Sequence, residues 1–314
     1  MTDFKHYTVM KNEAVDALNC ESRSKEGLIY VDATLGGGGH SELILKQIGS
    51  SGRLISFDVD EEAINAATER LKNYDNLTIV KDSYTNIKKV LQDLNIEKIT
   101  GGILFDLGAS YHQLTKAERG FSFSKSAPLD MRFNKDASFS AYDVVNTYRE
   151  ADLVRIFSEY GEERFSKRIA QKIVEQRKLE SIKTTGELAD LIVNCTPRIK
   201  SSIHPATRVF QAIRIEVNQE LTNVKNTLTQ VLDLLSEGAI ISVISFHSLE
   251  DRVVKNLFKY HSAKCRCERT QMICKCEPPL LETITKKPIS ANETEVKENP
   301  PSRSAKLRVA RRCR

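Results

Sequence analysis

Leu28-Ile29-Tyr30-Val31-Asp32-Ala33-Thr34-Leu35-Gly36-Gly37-Gly38-Gly39-His40 is the stretch on which the reading of this 314-residue chain turns. A β-prone run ends in an acid, four glycines follow, and Ser41-Glu42-Leu43-Ile44-Leu45-Lys46 opens a helical pattern. That order is strand, tight turn, helix. Glycine lets backbone come close to a ligand, and a helix start offers free N–H groups. A Gly-rich loop with no ligand is the plainer alternative. A second signal weighs against it: Leu54-Ile55-Ser56-Phe57-Asp58 is another apolar run ending in an acid. Asp58 lies about 20 residues beyond Gly36, where dinucleotide-type folds put the carboxylate that accepts from ribose hydroxyls.

The phosphate-binding patterns fail. G-x-G-x-x-G would need glycine where Ser41 stands, and no Gly-Lys-Ser/Thr follows the glycines. A nucleoside cofactor without phosphates fits better, and S-adenosylmethionine has a ribose and no pyrophosphate. A nicotinamide oxidoreductase is the rival reading of the same opening.

Working outward, strands are expected at 28–32, 54–58, 76–81 and 101–106, with helices at 41–48, 60–71 and 86–94 between them. The segment Val9 to Leu18 reads as a short helix ahead of the first strand. Alternating strands and helices imply an α/β fold with a mostly parallel sheet and right-handed crossovers. Ligands in such sheets bind beyond the carboxyl ends of the strands, where Asp32, Asp58 and Asp106 all fall. Tyr84, just past the third strand, is placed to pack on an adenine.

After Asp106 the pattern changes. Residues 107–140 read as a long loop, and loops of that length in compact domains are functional or disordered. Its aromatic and charged content speaks against plain disorder. Helical patterns then run from about 141 to 195, with a capping box at Thr184 and Glu187. They interrupt the strand–helix alternation as an inserted helical subdomain. The expected division is a first part of the cofactor-binding domain at 1–113, a loop and helical subdomain at 114–203, and a second part of that domain, with the basic tail, at 204–314. In that last part, one long helix is expected to start at His204-Pro205. Its stripe Val209, Ile213, Val217, Leu221, Val224, Leu228, Val231 and Leu235 reads as core. Ala239 to Phe246 is a buried strand that resumes the sheet. His247 follows it, as a hydrogen-bonded structural residue or a general base, with the structural role preferred. Cys20 and Cys195 read as core.

Composition sets the outer bounds. The chain has 40% apolar residues and a net charge of +5. The N-terminus carries no apolar targeting run, and no apolar stretch is long enough to span a bilayer, so a cytoplasmic protein without membrane contact is expected. Seven cysteines, an odd number, argue against a disulfide scaffold. Cys265, Cys267, Cys274 and Cys276 form a C-x-C-x6-C-x-C set. Four thiolates can bind zinc, yet C-x-C is tighter than the usual C-x2-C knuckle, so a reduced hairpin loop is preferred and no metal is expected. The last residues, 302–314, are basic without an acid and allow a final strand. A basic run there serves as a solvated sheet edge or a phosphate contact.

Taken in order, several stretches resemble one family over nearly the whole chain: the ribosomal RNA small subunit methyltransferase H family. They are Tyr30 to Ser41 (YVDATLGGGGHS), Phe57 to Asp60 (FDVD) and Phe105 to Gln113 (FDLGASYHQ). Glu118 to Phe123 (ERGFSF), Pro128 to Arg132 (PLDMR) and His204 to Arg214 (HPATRVFQAIR) follow, then Ser245 to Arg252 (SFHSLEDR) and Asn299 to Arg308. Tyr84 and Tyr111-His112 depart from the pattern.

The resemblance implies a class I S-adenosylmethionine-dependent methyltransferase fold with an inserted helical subdomain. It implies methylation of N4 of a cytidine in the decoding region of 16S rRNA, within the small ribosomal subunit. It also implies cofactor contacts at Gly38, Gly39, His40, Asp58, Tyr84, Asp106 and Gln113. Asp106 is the candidate catalytic group, where it or a backbone carbonyl after it accepts an N–H bond from the cytosine amine; cofactor binding alone is the plainer role. Arg119, Arg132, Arg208, Arg214, Arg303 and Lys306 are candidate RNA contacts. Phe121, Phe123, Tyr111 and Phe133 are candidates to hold the target base, with Phe121 and Phe123 equally placed to be core. The oligomeric state is left open, a homodimer being one option.

Overall fold

The computed structural model describes residues 7–24, 26–108, 117–197, 204–267 and 274–314. The chain divides into two compact units, one of residues 1–108 with 221–314 and the other of residues 109–220.

The first unit is built on a sheet. Helix α1 (Lys11–Asp16) precedes β1 (Ile29–Asp32), α2 (Gly39–Ile48), β2 (Arg53–Asp58), α3 (Glu61–Leu71), β3 (Leu77–Lys81), α4 (Ile87–Asp93) and β4 (Gly102–Asp106). Asp60 caps α3 by accepting from Glu62 N at 3.1 Å, and Glu61 and Glu62 in the first turn suit the helix dipole.

The helical unit follows, with α5 (Ala141–Thr147), α6 (Glu150–Glu159), α7 (Ser166–Leu179), α8 (Thr185–Cys195) and α9 (Thr207–Asn218). Its core includes Leu129, Met131, Val144, Phe157, Ile169, Leu188, Ile192 and Ile213. The expected capping box is present: Thr184 Oγ1 accepts from Glu187 N at 3.2 Å, and Glu187 accepts from Thr184 N.

The chain then returns to the sheet unit through α10 (Glu220–Leu234), β5 (Ile240–Ser245), α11 (Ser248–Ser262), β6 (Leu281–Thr283), β7 (Ile289–Ser290), α12 (Glu293–Glu298) and β8 (Lys306–Arg312). The strand order is β3-β2-β1-β4-β5-β8-β6, with β7 also on β8. Strands β1 to β5 pair in parallel, and β8 runs antiparallel to β5. Alternate residues of the parallel strands feed two cores, as expected of strands covered on both faces. Val31, Ile55, Ile103 and Val243 face one core with Leu91, Leu228 and Phe258. Tyr30, Leu54, Leu104 and Ile244 face the other with Val15, Ile44 and Ala67. Sheet order reverses between β1 and β4, the switch point where such folds hold ligands.

The long helix expected from His204 to Leu235 is two helices. Gln219 takes a left-handed conformation (φ 49°), which ends α9 before α10 begins. The apolar stripe is accordingly shared: Val209 and Ile213 enter the helical core, whereas Val224, Leu228 and Val231 enter the sheet core. Residues 204–220, assigned from sequence to the second part of the cofactor-binding domain, thus lie in the helical unit.

Candidate active site

The carboxyl ends of β1, β2 and β4 bring the glycine turn and the three strand-end acids into one neighbourhood of the sheet unit. The acids have different surroundings. Asp32 is fully buried. It accepts from Thr34 N at 3.1 Å and from Ser41 Oγ at 2.7 Å, and Ser41 Oγ lies 2.9 Å from Ser56 Oγ. Burial raises its carboxyl to about 6, with the Ser41 and Thr34 bonds opposing. Asp32 therefore holds the turn from inside.

Asp58 closes the turn from the other side. Its Oδ2 accepts from Gly36 N at 2.8 Å and its Oδ1 from Asp60 N at 2.9 Å. Burial raises its carboxyl, opposed by those backbone bonds. Each oxygen retains acceptor capacity beyond its one backbone donor.

Gly38 (φ 75°) precedes α2 in the left-handed region that glycine favours. A Cβ on Gly38 would stand 3.1 Å from Leu71 and 3.2 Å from Ala67, and one on Gly39 would overlap the Thr8 side chain. These two glycines are thus fixed by packing against protein, a constraint separate from the ligand contact expected of them.

Asp106 ends β4, with its backbone N–H donating to Thr34 Oγ1 at 2.7 Å. Its side chain is 14% exposed, and Oδ1 is buried with no hydrogen-bond partner among the described residues. Burial raises its carboxyl well above the ordinary aspartate range, and the negative charges of Asp32, Glu250 and Glu295 add to the rise. Oδ2 lies 3.8 Å from His40 Nδ1. His40 is buried, with Nε2 3.0 Å from the Val9 carbonyl. A carbonyl only accepts, so Nε2 carries the proton and Nδ1 faces Asp106. His40 therefore anchors the segment before α1 while flanking Asp106. Tyr84 packs edge-on against Phe105 with centroids 5.9 Å apart. Gln113, Tyr111 and His112 fall outside the described residues.

Sequence reasoning missed Thr34, Ser41 and Ser56, which lock the acids in place. In the sequence Ser41 opens a helix and breaks the dinucleotide pattern, and neither feature signals its bond to Asp32. His247 caps α11, accepting at Nδ1 from Glu250 N at 3.4 Å, and its Nε2 lies 3.1 Å from Glu250 Oε1. Cys20 and Cys195 are buried core residues as expected.

Several candidate RNA contacts are engaged in structure. Arg119 donates to the Arg132 and Phe133 carbonyls, both at 3.0 Å. Arg132 makes a two-pronged pair with Asp130 at 2.8 and 2.7 Å, and Arg214 a similar pair with Glu220 at 2.8 and 2.9 Å. Arg208 is exposed and donates to the Glu162 carbonyl at 2.7 Å. Arg303 is exposed and makes no ion pair among the described residues, and Lys306 stands 3.9 Å from Asp251. The aromatic candidates are core-like: Phe121 stacks on Phe133 at 5.4 Å, and Phe123 stacks on His204 at 4.6 Å and meets Phe210 edge-on.

Residues 3–313 match the MraW methylase family. The chain belongs to that family. Among curated relatives, "Ribosomal RNA small subunit methyltransferase H" of Clostridium botulinum (strain Loch Maree) is 49% identical over 312 residues, covering 99% of each chain. The protein of the same name from Sulfurihydrogenibium sp. is 50% identical over 311 residues, covering 98% of this chain and 99% of its own. Among solved structures, an rRNA methylase from Streptococcus thermophilus is 12% identical, covers 96% of this chain and 95% of its own, and superposes with a TM-score of 0.42.

As a member of the MraW methylase family the chain is a class I methyltransferase with S-adenosyl-L-methionine as methyl donor. The strand-end site fits that cofactor. Asp58 keeps acceptor capacity for hydroxyls beyond its bonds from Gly36 N and Asp60 N. Among the described residues no helix is long and apolar enough to cross a membrane.

Proposed function

We propose that this methylase acts in the cytoplasm on 16S rRNA of the small ribosomal subunit, transferring methyl to N4 of a cytidine in the decoding region. The names of relatives at 49 and 50% identity over nearly the full chain support the rRNA substrate. The observation that carries the chemistry is the unpaired, buried Oδ1 of Asp106 at the end of β4.

A cytosine amine is a weak nucleophile because its lone pair is delocalised into the ring. A carboxylate oxygen accepting one amine N–H localises that lone pair, and a carboxyl with a raised pKa is the better acceptor once ionised. The cofactor supplies a methyl group on a positively charged sulfur. In this reading Asp58 holds the ribose hydroxyls, Tyr84 borders the adenine, and Gly38, Gly39, His40 and Gln113 border the rest. Arg303 and Arg208 are the RNA contacts best supported by their exposure, with the half-buried Lys306, 3.9 Å from Asp251, beside them. Arg119, Arg132 and Arg214 shape the helical unit.

Asp106→Asn tests the acceptor role. The amide keeps the shape and loses the charge, so turnover on small subunits should fall by about 10²-fold or more while cofactor binding by calorimetry persists. Full turnover in the variant would remove Asp106 from the chemistry.

A further inference from the structure

The four cysteines between α11 and β6 were read from sequence as a reduced loop because C-x-C is tighter than a zinc knuckle. Their geometry reverses that preference. The Sγ atoms of Cys265, Cys267, Cys274 and Cys276 all lie within 4.8 Å of one another. Cys267 Sγ is 3.4 Å from Cys276 Sγ, and Cys265 Sγ is 3.7 Å from Cys274 Sγ. Sulfurs around one tetrahedral zinc, at about 2.3 Å from the metal, stand about 3.8 Å apart. We propose that these four thiolates form a tetrahedral zinc site that clips the end of α11 to the approach to β6.

Each C-x-C supplies two sulfurs, and the two segments together complete four ligands. The close pairs also differ from the rungs of an antiparallel hairpin, which would match Cys265 with Cys276 and Cys267 with Cys274. The sulfurs form one cluster rather than two separate rungs.

Two alternatives fit less well. Disulfides require sulfurs about 2.05 Å apart in two isolated pairs, whereas here all four are mutual neighbours. An iron–sulfur cluster binds its thiolates to different irons, which holds the sulfurs farther apart than a single ion does.

The surroundings suit a dianionic tetrathiolate centre. Arg266 N donates to Cys276 Sγ at 3.0 Å, a backbone bond of the kind that orients a metal-binding thiolate. The Arg266 guanidinium donates to the Ala263 carbonyl at 3.1 Å and the Glu277 carbonyl at 2.8 Å, joining the two sides of the site. It also lies over the Tyr260 ring, 5.7 Å from the centroid. Lys264, Arg266 and Lys275 adjoin the cysteines in sequence and offset their charge. Ligand placement is thus prepared by protein contacts. Binding replaces thiol protons with the metal, and the protons pass to solvent.

The test is metal analysis of the full chain purified in reducing buffer without added metal or chelator. The expected result is a single zinc ion per chain, released by a mercurial thiol reagent. Cys267→Ser with Cys276→Ser should abolish zinc binding and leave S-adenosylmethionine binding intact. Should that variant fail to fold, cobalt titration of the reduced native chain gives an independent reading. Intense visible bands with thiolate-to-cobalt charge transfer would support four sulfur ligands. A native chain that takes up neither zinc nor cobalt after reduction, a weak octahedral cobalt spectrum, or iron in place of zinc would each overturn the proposal.

Discussion

At the scale of single residues, Asp32 and Asp106 are both carboxylates at strand ends, and their surroundings separate their roles. Asp32 has its bonds from Thr34 and Ser41 and is sealed from solvent. Asp106 has an oxygen with no described partner. The Asp106 carboxyl is raised by burial and by neighbouring negative charge, so the acceptor is present only once pH exceeds that raised value. Methyl transfer should therefore increase with pH along an acid limb lying above the ordinary aspartate value of about 3.9. A single-turnover pH profile with saturating cofactor measures it.

Stability carries the opposite signature through Asp32. Its folded-state value of about 6 exceeds the unfolded one, so the folded chain binds the extra proton between them. Its contribution is fully present below about pH 4 and is lost as pH rises to about 6. Asp32→Asn removes that titration while keeping one acceptor oxygen. The variant should lose less stability than the parent on passing through this window, as read by urea denaturation at each pH. A parallel decline in both proteins would assign the pH dependence elsewhere.

At the scale of elements, the break between α9 and α10 is held by an ion pair. Arg214 on α9 grips Glu220 at the start of α10, with side chains 17% and 7% exposed. Removing the cation leaves a nearly buried carboxylate uncompensated, so Arg214→Ala should destabilise the chain by about 3 kcal/mol. Chemical denaturation checks this; a change under about 0.5 kcal/mol would mean the pair is a surface decoration. Thr184→Ala, which removes the cap of α8, should cost about 1 kcal/mol by the same assay.

These elements also show what was legible beforehand. The glycine turn, the strands ending in Asp32, Asp58 and Asp106, the cap at Thr184 and the buried strand at 240–245 could be read because each has a local chemical signature. The α9–α10 break could not. Its apolar stripe continues in phase, and the break lies in one non-glycine residue, Gln219, in the left-handed region. Likewise, Arg132 and Arg214 look like phosphate ligands in a sequence, and only folding reveals the carboxylates they grip. The cysteine cluster has no such signature, because the spacing of two C-x-C pairs does not say how closely the four sulfurs gather.

At the scale of the whole molecule, charge has two surroundings: Arg132 and Arg214 are paired within the helical unit, and Arg303 is exposed, where the proposed function gives it a polyanion. Arg303→Glu should weaken rRNA binding and reduce the salt dependence of log Kd by about one contact, with cofactor affinity unchanged. Filter binding across a salt series measures this, and simultaneous loss of cofactor binding would point to misfolding. The decisive measurement is transfer of labelled methyl from S-adenosylmethionine to purified small ribosomal subunits, followed by nucleoside analysis of the 16S rRNA. Label in N4-methylated cytidine is the expected result. Label in a different nucleoside, or none despite intact cofactor binding and subunits at every stage of assembly, would contradict the proposed function.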